Sequence, residues 1–106
     1  MPKHLYMVSY TAEGAKGVLK AGGSKRRAAA EQAAKAVGGK IESFYFAFGD
    51  TDAFVVAEAP DHASSAAVSL AVAASGGAHI KTVVLMTPEE MDQAAKKTVG
   101  YRAPGK

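Results

Sequence analysis

Lys40 to Glu58 reads KIESFYFAFGDTDAFVVAE, two β-prone runs separated by four turn-forming residues, Gly49-Asp50-Thr51-Asp52. Two such runs joined by a short polar turn specify an antiparallel hairpin. The first run, Lys40 to Phe48, alternates and is rich in aromatic residues; the second, Ala53 to Glu58, is apolar on both faces at Phe54-Val55-Val56.

Upstream, Lys25 to Val37 carries apolar residues at helical spacing (Ala29, Ala33, Ala36, Val37), closed by Gly38-Gly39 as a C-terminal cap. Gly22-Gly23 separates it from an earlier helical segment with Ala15, Val18 and Leu19 on one face, and Ser24 offers a cap for the second segment. Thr11 caps the first, with Glu13 in its first turn, and His4 to Tyr10 before it is a strand. Downstream, Pro60-Asp61 starts a helix that faces the sheet through Ala66, Ala67, Leu70 and Ala74 and stops at Gly76-Gly77. His79 to Met86 is a fourth strand, and Thr87-Pro88-Glu89-Glu90 is a capping box opening a short C-terminal helix.

The order is β-α-β-β-α-β. It predicts a ferredoxin-like α+β sandwich with a four-stranded antiparallel sheet in the order 4-1-3-2, as one domain over residues 1–97 with a loose tail over 98–106. Phe54-Val55-Val56 and Val83-Val84-Leu85 are apolar on both faces, yet the helices can cover only one. A second copy of the chain, packed through the sheet, is the natural cover for the other, so a homodimer or higher homo-oligomer is expected. At 106 residues, the chain buries about two-thirds of its unfolded surface, and pairing would also help its stability.

Composition narrows the function classes. No cysteine is present, which removes disulfides, thiolate nucleophiles and cysteine metal sites. The first ten residues lack the apolar core of a secretory leader and no apolar run approaches bilayer length, so a cytoplasmic protein without a membrane partner is expected. The net charge of +3 comes largely from Lys25-Arg26-Arg27 and from the tail residues Lys96, Lys97, Arg102 and Lys106. A nucleic-acid surface shows a denser basic stripe interleaved with stacking aromatics, so none is expected here.

The stretch Gly49-Asp50-Thr51-Asp52-Ala53-Phe54-Val55-Val56-Ala57-Glu58-Ala59-Pro60-Asp61 resembles the signature of the GYD domain, a family of small bacterial proteins. Tyr10-Thr11 with Gly14, and Gly38-Gly39-Lys40-Ile41, are similar to it as well, so that the resemblance covers residues 3 to 90. It implies a ferredoxin-like fold of the dimeric α/β-barrel type and brings no established activity. Thr51 stands where the family has the tyrosine of its name.

Candidate site residues fall into four groups. Gly49, Asp50 and Asp52 suit a turn, where glycine adopts positive φ and aspartate bonds local amides; at a cleft mouth either carboxylate would serve a polar ligand. His4 and His79 open neighbouring antiparallel strands and so lie at opposite ends of the pair, which opposes a shared metal site; His62 is the third imidazole. The aromatic residues serve core and interface, with Tyr6, Tyr45 and His79 as polar groups of an apolar pocket. Ser24, Lys25, Arg26 and Arg27 follow two glycines at a helix start, an arrangement suited to an anion, although the spacing of a P-loop is absent.

No nucleophile–base pair, metal set or cofactor motif emerges, and no cofactor is expected. The residues point to a homo-oligomeric ligand-binding or interaction module without catalysis, taking a small apolar or anionic ligand. The alternative is a cofactor-independent oxidoreductase or isomerase that works on an apolar substrate through Tyr6, Tyr45 or His79.

Overall fold

The computed structural model describes residues 1–106. The elements are β1 (Lys3–Tyr10), α1 (Ala12–Ala21), α2 (Gly23–Ala36), β2 (Lys40–Phe46), β3 (Ala53–Glu58), α3 (His62–Ala74), β4 (Ala78–Leu85) and α4 (Pro88–Ala95). The four strands form one antiparallel sheet in the order β2-β3-β1-β4, as the hairpin and the helical crossovers require. The fold is therefore α+β and ferredoxin-like. No helix is long and apolar enough to cross a membrane.

Local chemistry sets the boundaries. Thr11 caps α1 by accepting from the Gly14 amide at 3.2 Å, and its own hydroxyl donates to the Gly76 carbonyl at 2.8 Å. That one side chain ties the start of α1 to the turn before β4. Asp61 caps α3 through the Ser64 amide, and Thr87 and Glu90 complete a capping box on α4 behind Pro88. Ser24 does not cap α2. Gly22, at φ 84°, turns the chain so that the helix begins at Gly23, and Ser24 falls inside the first turn.

The helix faces also differ from the alanine pattern. α3 meets the sheet through Ser65, Val68 and Val72, while Leu70 is 71% exposed and Ala66, Ala67 and Ala74 face outward. Apolar residues run all round α3, so apolarity alone leaves its rotation undefined; the stripe that docks begins with a serine. In α1, Leu19 is 87% exposed and only Gly14 and Val18 are partly covered.

Alternation sorts the strands onto two faces. His4, Tyr6 and Val8 of β1, Ala53, Val55 and Ala57 of β3, and Ala78 and Ile80 of β4 lie beneath the helices. The opposite face has no helix. Its rows run Tyr45–Phe54–Met7–Lys81 and Ser43–Val56–Leu5–Val83 across the four strands. At one end Lys3 bonds Glu42 at 2.6 Å, and Glu58 lies 3.5 Å from both Lys3 and Lys40.

Gly14 sits where α1 presses on the turn before β4: a Cβ there would stand 1.8 Å from the Gly77 carbonyl oxygen, whereas one on Gly17 meets nothing. Gly14→Ala should therefore cost about 1–3 kcal/mol in urea unfolding. Gly17→Ala in the same helix should stabilise by roughly 0.5–1 kcal/mol.

Candidate functional site

β1 is bonded on both edges, and Tyr6, Val8 and Tyr10 on its helix side form the floor of a cavity of about 140 Å³ between the sheet and helices α2 and α3. The walls are mostly apolar, with Val8, Phe44, Val55 and Ile80 from the sheet and Ala30 and Ala33 from α2. Alanines on α2 explain why there is a cavity: a helix held one layer above the sheet cannot fill the gap with methyl groups.

Polar groups enter the cavity at few points. The hydroxyls of Tyr6 and Ser65 share a hydrogen bond, and both residues are buried and line the cavity. One turn earlier on α3, His62 Nδ1 lies 2.9 Å from Nε2 of His4, which is 2% exposed. The second ring nitrogen of His4, Nδ1, is buried without a partner. The favourable tautomer has Nε2 donating to His62, so that the buried Nδ1 keeps only a lone pair. Protonation would put a donor there with nothing to accept it. Burial first, and the charge of His62 second, accordingly hold the His4 pKa below its usual value.

The structure separates the three residues expected to share a pocket. Tyr6 lines the cavity, whereas Tyr45 is 71% exposed on the open face beside Phe54, and His79 is exposed on that same face opposite Ser9. The reason for Tyr45 is a bulge in β2. Ile41 pairs with Ala57 and Ser43 with Val56, which leaves Glu42 over and reverses the alternation beyond it. Phe44 thus turns into the cavity and Tyr45 away from it. His79 follows from Ala78 and Ile80, whose inward positions leave it outside.

Asp52 holds the hairpin turn to β1: its Oδ2 accepts from the Tyr10 amide at 2.8 Å, and the Ser9 hydroxyl donates to the Asp50 carbonyl. Gly49 has φ 118°, a conformation that favours glycine. The basic segment is split. Ser24, Lys25 and Arg27 are exposed, while Arg26 is half-buried and borders the cavity. No group of three or more His, Cys, Asp and Glu residues is placed to hold a metal ion. Ser65 and His62 carried no weight in the sequence; once Asp61 is taken as the cap, the spacing His62–Ser65–Val68–Val72 is the signal for the docked stripe.

Two measurements test this polar layer. Tyr6→Phe and Ser65→Ala each leave one buried hydroxyl unpaired and should cost about 1–3 kcal/mol, with the double variant costing less than the sum. His4 binds a proton more readily in the unfolded chain, so its contribution to stability is complete above about pH 6.5 and declines as the pH falls below it. Urea unfolding against pH should show that decline, and His4→Phe should flatten it. Asp61, Glu58 and Glu90, whose pKa values are also depressed, act only towards about pH 4.

No curated protein and no solved structure matches the chain. A family model does: the GYD domain model spans residues 4–95, taking in all four strands, the cavity and the polar layer, and the chain belongs to the GYD domain family.

Proposed function

We propose that this protein is a homo-oligomeric small-molecule-binding module that pairs through the bare face of its sheet and takes a ligand on the helix side. The observation that carries the reading is the two-faced apolar sheet. Helices cover one face, and on the other Tyr45, Phe54 and Val83 are exposed and Leu5, Met7 and Val56 half-buried in adjoining rows. Faces of this kind mark interaction surfaces. The thin core supports it: nine of 106 residues are buried, and most of the buried apolar ones are alanines. A second sheet laid on the first would supply the burial that a lone chain lacks.

Binding rather than catalysis is favoured by how the polar groups are spent. Ser65 is bonded to Tyr6, and the imidazole of His4 to His62, so no imidazole is set on a hydroxyl. Of the residues in the alternative oxidoreductase or isomerase reading, Tyr6 alone faces the cavity.

Sedimentation at micromolar concentration should show a dimer or larger species. Phe54→Asp or Val56→Asp, each placing a charge in the centre of the open face, should shift it to monomer while far-ultraviolet circular dichroism is retained. A wild-type chain that sediments as a stable monomer would remove the pairing.

A further inference from the structure

We infer that the cavity between the sheet and the helices is a site for a small monocarboxylate with a single ring or a short branched chain, its carboxylate held by Arg26. This deepens the ligand-binding reading above and rests on it. The cavity is about 140 Å³, and an apolar cavity of about 150 Å³ accommodates benzene. Its capacity is therefore one ring. The only charged residues on its wall are Arg26 and Glu58. Glu58 is already engaged, lying 3.5 Å from both Lys3 and Lys40. Arg26 has no ion pair and its guanidinium no hydrogen-bond partner within the protein, although the residue is half-buried.

Arg26 borders a mostly apolar cavity with its guanidinium free to take an anion. Its planar fork matches a carboxylate through two parallel hydrogen bonds. A phosphate dianion would bring a second charge into an apolar space with no further cation on the wall to balance it. A neutral ligand would leave the fork unused. Arg26 occupies the first turn of α2, whose start packs on Phe46, so it stands at the end of the cavity away from α3's first turn. The apolar body of the ligand then extends along Ala30, Ala33 and Phe44 towards the Tyr6–Ser65 pair.

Calorimetric titration and amide chemical-shift mapping of the full chain test this with two probes of similar shape, benzoate and toluene. Both probes should enter, with shifts at residues lining the cavity, and benzoate should bind more tightly. Arg26→Gln should weaken benzoate by about tenfold or more and leave toluene unchanged. Ala33→Leu fills the cavity without touching Arg26 and should abolish both. If toluene enters but benzoate is no tighter, or Arg26→Gln costs benzoate nothing, the carboxylate assignment is overturned and the pocket stands. If neither probe enters, the pocket itself falls, together with the inference. Binding that survives Ala33→Leu places the ligand elsewhere and overturns the site.

Discussion

β1 is hydrogen-bonded along both edges, by β3 and by β4, and its side chains alternate between the two faces of the sheet. Because neither edge is free, the strand cannot slip, and a slip of one residue would exchange its faces. The arrangement sends His4, Tyr6 and Val8 towards the helices and Leu5 and Met7 to the open side. Each of the molecule's two surfaces of interest, the cavity and the bare sheet face, takes its central row from this strand.

On the helix side, two hydrogen bonds between β1 and α3 do what apolar packing alone does not. Tyr6 with Ser65, and His4 with His62, fix the rotation of a helix whose own surface is apolar all round. α2 lacks such anchors and approaches the sheet with alanines, so a gap remains where larger side chains would have closed it. The cavity is thus a consequence of side-chain size on α2 combined with polar anchoring of α3. Its lining includes the buried hydroxyls of Tyr6 and Ser65, with Arg26 at the border near the start of α2.

On the open side, charge and apolar surface are segregated. Lys3, Lys40, Glu42 and Glu58 form a network at one end, and the middle rows are apolar apart from Ser43 and Lys81. Salt-bridged charges on a sheet rim resist unspecific pairing of strands while leaving the apolar centre free for a matched surface. The proposed self-association uses this face and leaves the cavity on the other side of the sheet unobstructed.

Element order, the hairpin, the caps at Thr11, Asp61 and Thr87 and the break at Gly22 were legible in the chain, because turn and cap chemistry is local and each signal lies within a few residues of its effect. The family was legible too, from the Gly49 to Asp61 stretch. The site was only partly so. Tyr6 was identified, but the bulge at Glu42 that turns Tyr45 outward is a property of the pairing of β2 with β3 and leaves no mark in β2 itself. Ser65 carries no signal in the sequence because a serine interrupts an apolar stripe, and its role exists only once Tyr6 is brought beneath it. Local residues thus determined which elements form and where they end. Register and helix rotation, which depend on partners some sixty positions away such as Tyr6 and Ser65, decided which side chains share a cavity.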